Sequence, residues 1–149
     1  MKKSKLFSIG IISLLLLALS FQACQGKIGP KPIKYGTDQC AYCKMTVSDQ
    51  RFGTQLQTKK GRTYNFDDVQ CMISFVKESN VKKEEVAAFY LPDYLSNSLL
   101  PAEKLFYLKS DELKSPMRGN IAAFKSLEDL EKTKASLGGT ILKWEDLWK

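Results

Sequence analysis

The sequence predicts an α+β protein of two tandem strand-strand-helix-strand units packed on each other, behind a signal peptide and a flexible tether. Three observations carry this reading. Apolar residues alternate at period two ahead of two capped helical stretches. Gly61-Arg62-Thr63-Tyr64-Asn65-Phe66 matches Gly119-Asn120-Ile121-Ala122-Ala123-Phe124, and each leads straight into a helix start. A three-stranded sheet needs a helix over one face, so each unit is a minimal core that its twin stabilises further.

The chain begins with a segment that reads as a secretory signal over residues 1–23. Lys2, Lys3 and Lys5 form its positive start, and residues 6–19 form an apolar stretch too short to span a bilayer comfortably. It ends in Ser20-Phe21-Gln22-Ala23-Cys24, where a small residue directly before a cysteine resembles a bacterial lipoprotein processing box. By that resemblance Cys24 becomes the lipidated first residue of a membrane-anchored chain. The other reading is a plain signal peptide with Cys24 as a spare thiol. Residues 24–37 carry Gly26, Gly29, Pro30, Pro32 and Gly36 among lysines, and such a stretch reads as a tether that packs no core.

The first unit is expected over residues 38–92. Phe52, Thr54, Leu56 and Thr58 fall at period two, Lys59-Lys60-Gly61 makes a turn, and residues 62–66 return as the second arm of a hairpin. Asp67 with Gln70 three residues on gives a capping-box signature. The helix that it opens has Val69, Met72, Ile73 and Val76 on one stripe, so Met72 reads as core. Cys71 lies off that stripe, either a surface thiol or one aimed toward Cys40 and Cys43. Residues 86–91 form a short strand that Pro92 ends.

The second unit is expected over residues 93–149. Leu105-Phe106-Tyr107-Leu108 is a strand, and residues 120–124 are its partner across a long loop with Pro116, Met117 and Gly119. Ser126 with Asp129 opens a helix whose apolar face is Leu127, Leu130 and Leu137, with Gly138 as its stop. Residues 140–144 close the unit as a strand.

Composition narrows the function. Of 149 residues, 44% are hydrophobic and 26% charged, as in ordinary globular proteins. The formal charge is +7, but without Lys2, Lys3 and Lys5 the 23 basic residues fall to 20 against 16 acidic ones. That modest, scattered surplus gives nucleic-acid binding no support. There is no histidine, which excludes a Ser-His-Asp triad and a Cys-His nucleophile pair. Gly138-Gly139 lacks the Lys-Ser/Thr partner of a phosphate loop. The expectation is a protein that is not an enzyme.

The chemistry concentrates in Cys40-Ala41-Tyr42-Cys43-Lys44-Met45. A Cys-x-x-Cys pair alone is open to three readings: half a zinc site, a redox dithiol, or a disulfide. Met45 tilts the balance toward Cu(I), because thiolate and thioether sulfur are soft donors and a thioether contributes little to zinc. The competing interpretation of Met45 is an ordinary core methionine at the start of a strand. If Cys24 is lipidated, Cys40, Cys43 and Cys71 remain, an odd number that a purely structural disulfide framework does not explain. A thiol-disulfide oxidoreductase would place its motif at a helix N-terminus, whereas here it runs into Thr46-Val47 and a strand. A structural lipoprotein with a bracing disulfide is the third alternative.

With these residues in view, the sequence resembles the NosL family, lipoproteins that accompany nitrous oxide reductase. The resemblance rests on residues 40–47, on Phe66-Asp67-Asp68 opening a helix, on Pro116-Met117 ahead of Ala123-Phe124, and on the processing box at Cys24. It implies a lipid-anchored, periplasm-facing Cu(I) chaperone of the bacterial cell envelope. The implied partners are an ABC-type membrane complex that matures copper sites and the reductase itself. The implied ligands are Cys43 and Met45, with Met117 from the second unit as a third, facing them across the cleft between the units. Many members have histidine where this chain has Ala41 or Tyr42, and Cys40 is the substitute donor.

Overall fold

The computed structural model describes residues 28–78 and 80–149. The signal segment and Cys24 lie outside these residues. Two antiparallel sheets and two helices make up the fold. In the first half, β1 (Thr54–Thr58) and β2 (Thr63–Phe66) form the hairpin, followed by α1 (Val69–Lys77) and β3 (Val86–Pro92). A further strand, β4 (Leu99–Pro101), lies past the expected boundary at residue 92 and pairs with β3, giving the order β2-β1-β3-β4. In the second half, β5 (Phe106–Lys109), β6 (Ile121–Phe124), α2 (Leu127–Leu137) and β7 (Thr140–Leu142) build a sheet of order β6-β5-β7.

The two halves repeat one plan. In each, the first strand lies between the second and the third, and the helix sits between second and third in sequence. Both helix caps come two residues after a buried phenylalanine that ends the second strand: Asp68 after Phe66, and Ser126 after Phe124. Asp68, not Asp67, is the first cap, its Oδ1 accepting the Gln70 N–H at 2.9 Å. Asp67 turns instead to the Ser48 N–H at 3.2 Å. Two adjacent aspartates satisfy the same sequence signature, and only the fold selects between them.

The core is continuous across the halves. Leu56, Phe66, Met72 and Val47 from the first share one cluster with Leu105, Tyr107, Ala123 and Leu147 from the second. The expected strand over residues 140–144 stops at Leu142, and Trp144–Trp148 forms a short 3-10 turn. That turn packs Trp144 and Trp148 on Phe89, each with ring centroids 5.3 Å apart. On α2, Leu130 is fully buried, Leu137 half-buried, and Leu127 exposed at its first turn.

β1 does not alternate as its period-two pattern predicts. All five of its residues are buried, Gln55 and Gln57 included. The reason lies in the part of the expected tether that the structure describes, which crosses this strand. Gln55 Oε1 accepts the Lys31 N–H at 2.8 Å while its Nε2 donates to the Lys31 carbonyl at 3.0 Å. Gln57 accepts the Gly29 N–H at 2.9 Å. Amide side chains thus take the place of a further strand, and Ile33 joins the core beyond them. Among the described residues, no helix is long and apolar enough to cross a membrane.

Candidate metal centre

Cys40 and Cys43 stand on a tight loop rather than ahead of a strand. An isolated antiparallel bridge joins Gln39 to Thr46, and inside it the Cys40 N–H donates to the Met45 carbonyl at 2.8 Å. The Lys44 N–H returns to the Cys40 carbonyl at 3.0 Å, which puts Lys44 at a φ of 66°, in the left-handed region. The Lys44 ammonium donates to the Ala41 carbonyl at 2.6 Å, so it closes the loop's own backbone. The Ala41 N–H pins the loop to β2 at Asn65, 2.8 Å away, and the Tyr42 hydroxyl donates to Glu78 at the end of α1 at 2.5 Å.

This pinning lays the loop along α1, where Cys71 waits. Cys71 is buried, not a surface thiol. The helix is covered on two sides, by the sheet, with Phe75 against Tyr64 and Phe66 of β2, and by the motif loop at Cys71. Val69, Cys71, Met72, Ile73, Phe75 and Val76 are all buried. Amphipathic periodicity sees only the first of these sides, so the sequence left Cys71 undecided. The odd thiol count pointed to a shared site without placing Cys71 in it.

Three sulfurs result, Cys40, Cys43 and Cys71, all within 4.8 Å of one another. None is in a disulfide. Cys40 and Cys71 are buried, and Cys43 is half-exposed at the rim. The Cys71 thiol and the backbone N–H groups of Asp67, Cys43 and Tyr42 lie close to the Cys40 sulfur and favour its charged form. These donors overcome burial and pull the Cys40 thiol down to about 5. Cys71, beside that sulfur, is pushed up by it, with burial adding to the shift. Burial is the main cause that pushes Cys43 up, opposed by the Met45 N–H. One side of the cluster is therefore a prepared thiolate.

The methionines sit in three different settings. Met45 is 55% exposed on the motif loop, which removes the core reading of that residue. Met72 is fully buried in the core. Met117 is half-buried on the β5–β6 loop, packed against the hydrophobic core shared by the two halves. Its N–H donates to Asp68, the cap of the cysteine-bearing helix, at 3.1 Å.

The NosL family profile matches residues 32–149, which take in both sheets, both helices and all three thiols. The chain belongs to the NosL family. Among solved structures it is similar to the crystal structure of the copper chaperone NosL from Shewanella denitrificans, at 19% identity and a TM-score of 0.68. That match covers 80% of this chain and 96% of the other, so the two share a fold over nearly the whole NosL domain. No curated protein sequence matches.

Proposed function

We infer that this NosL protein is a Cu(I) carrier that holds the ion with Cys40, Cys43 and Cys71 and passes it to a copper-site maturation system. The observation that carries the reading is the three-sulfur cluster in a chain without histidine. Soft sulfur donors select Cu(I) over hard cations, and a zinc site would want a fourth strong ligand, for which the described residues group no further Cys, Asp or Glu here. Membership in the NosL family and the fold shared with a copper chaperone support the same cargo.

The arrangement suits transfer. Cys40 brings charge without waiting for a proton to leave, and Cys71 holds the buried side. Cys43 at the rim, with the exposed thioether of Met45 on its loop, is where a partner's sulfur can add before one of these leaves. Thioethers are neutral and weaker ligands, so Met45 and Met117 complete the shell without trapping the ion. The recipient fitting the family is the ABC-type membrane complex that assembles the copper centres of nitrous oxide reductase or a related enzyme. Within this role the protein catalyses no reaction.

Competition against a Cu(I) chelator, with the protein reduced and kept from oxygen, tests the cargo. One Cu(I) is expected to bind far more tightly than Zn(II), and Cys43→Ser should nearly abolish binding. Equal affinity for zinc would make the cluster a structural site, and a dithiol that instead cycles with a disulfide partner would make it a redox one. The anchor is a separate expectation, resting on the small residue before Cys24. A Cys24→Ala precursor should leave the membrane fraction while still binding Cu(I). If it stays in that fraction, the lipid is not what holds it.

A further inference from the structure

Asp68, at the start of α1, connects the halves of the molecule. Asp68, 1% exposed, spends one carboxylate oxygen on the helix cap, accepting the Gln70 N–H. Capping needs no more than that, and serine or asparagine would do it as well. The other oxygen reaches across to the second half. Asp68 Oδ2 accepts the Ser115 hydroxyl at 2.6 Å and the Met117 N–H at 3.1 Å.

The loop it grips is internally fixed. The Arg118 N–H bonds the Ser115 carbonyl at 3.0 Å, so Pro116 and Met117 take the two central positions of a β-turn. Asn120 closes the loop from both sides, its Oδ1 accepting the Ser115 N–H at 3.1 Å and its N–H donating to Ser115 Oγ at 2.7 Å. Gly119 allows the close approach, since a Cβ there would lie 2.6 Å from Asp68 Oδ1 and 3.1 Å from the Gln70 Cβ. A loop so braced moves as one piece, and Asp68 sets where it rests.

We propose that Asp68 is a positioning residue: its carboxylate fixes the Met117 loop against the cysteine-bearing core, so that the Met117 thioether shares the ion with Cys40, Cys43 and Cys71. This rests on the Cu(I) reading above. Asp68 does not ligate the ion and acts only through the backbone of Met117.

Asp68→Asn tests it, because asparagine keeps the shape and a competent cap. Its amide has one oxygen, so when Gln70 is capped an NH2 faces the Met117 N–H, donor against donor. Cu(I) affinity is measured by chelator competition for the full chain, Asp68→Asn, Met117→Leu and the double variant, with a denaturant melt of each. Asp68→Asn should weaken Cu(I) by about tenfold to a hundredfold, the range for a lost outer partner of a ligand, and Met117→Leu, which removes the ligand itself, by at least as much. The double variant should bind no more weakly than Met117→Leu, and copper-edge X-ray absorption should lose one sulfur in all three. A purely structural Asp68 would lower stability and leave Cu(I) affinity unchanged, or its loss would multiply with that of Met117→Leu; either result overturns the proposal. If Met117→Leu alone binds as the parent does, the proposal also falls while the cysteine site stands. If the parent shows no preference for Cu(I) over Zn(II), the function itself is misread. Should Asp68→Asn fail to fold, Gly119→Ala displaces the loop with the carboxylate intact, and the same loss and the same lack of additivity are required of it.

Discussion

Cys40 is fully buried, yet its sulfur carries charge. Burial alone raises a thiol, and here the Cys71 thiol with three backbone N–H groups outweighs it. With Cys71 and Cys43 shifted the other way, Cys40 is the thiol of the cluster that gives up its proton first. The ultraviolet thiolate absorbance of the reduced, metal-free protein should therefore show one step near pH 5, absent in Cys40→Ser. Cys71→Ala removes the leading donor and should move that step up, whereas Cys71→Ser keeps a hydroxyl donor and should leave it low. The sign for stability follows. The folded value of about 5 lies below the ordinary 9.0, so the unfolded chain binds the extra proton between them. Stability from this group is complete above 9.0, declines as pH falls, and is gone once pH drops through about 5. Cys71 and Cys43, shifted upward, act in the opposite sense above 9.0. A flat absorbance through pH 5 would remove the prepared thiolate from the account.

At the scale of elements, what could be read from the sequence was what depends on a single chain segment. The α1 stripe, the Lys59-Lys60-Gly61 turn with Gly61 at a φ of 81°, and the Gly138 stop at 69° are local properties, and all three stand as expected. Features that depend on a distant segment were less legible. Gln55 and Gln57 look like the solvent face of a hairpin arm until residues 29–31 are laid over them. β4 is only three residues long, and its partly buried Leu99 and Leu100 carry no alternation to notice. The site divides along the same line. Cys40, Cys43 and Met45 announce themselves by spacing within one loop. Cys71 and Asp68 acquire their roles only when that loop lies along α1 and the Ser115 turn reaches its start. A buried polar side chain in a strand, or a second acidic residue at a helix start, is the trace that such distant packing leaves in a sequence.

The molecule as a whole behaves as one body because its halves are joined in more than one place. Apolar packing joins them around Tyr107, Trp144 and Phe89, and Asp68 bolts them beside the cysteines. The other bolt is Asp93, where β3 ends. Its carboxylate, fully buried, accepts the Lys125 N–H at 3.0 Å through Oδ1. Through Oδ2 it accepts the Ser96 N–H at 3.1 Å and the Ser96 hydroxyl at 2.6 Å. A parallel bridge to Ala123 lies beside it. The Lys125 ammonium, 3.6 Å away and 55% exposed, adds little, since water screens it. Burial pushes the Asp93 carboxyl up, but the donors from Ser96 and Lys125 together hold it below its ordinary 3.8. Asp93→Ala strands those donors and should cost on the order of 3 kcal/mol, as expected for hydrogen bonds to a buried charge. Because the folded value is depressed, the part of this contribution that depends on the charge is present above 3.8 and lost as pH falls through the lower folded value. Denaturant melts of the parent and Asp93→Ala should thus stay apart from neutral pH down to about pH 4, and draw closer only in stronger acid. Coincident melts at neutral pH would mean that the aromatic and Asp68 contacts alone join the halves. A gap that persists unchanged in strong acid would mean that the alanine harms the β3 end by some route other than the lost charge.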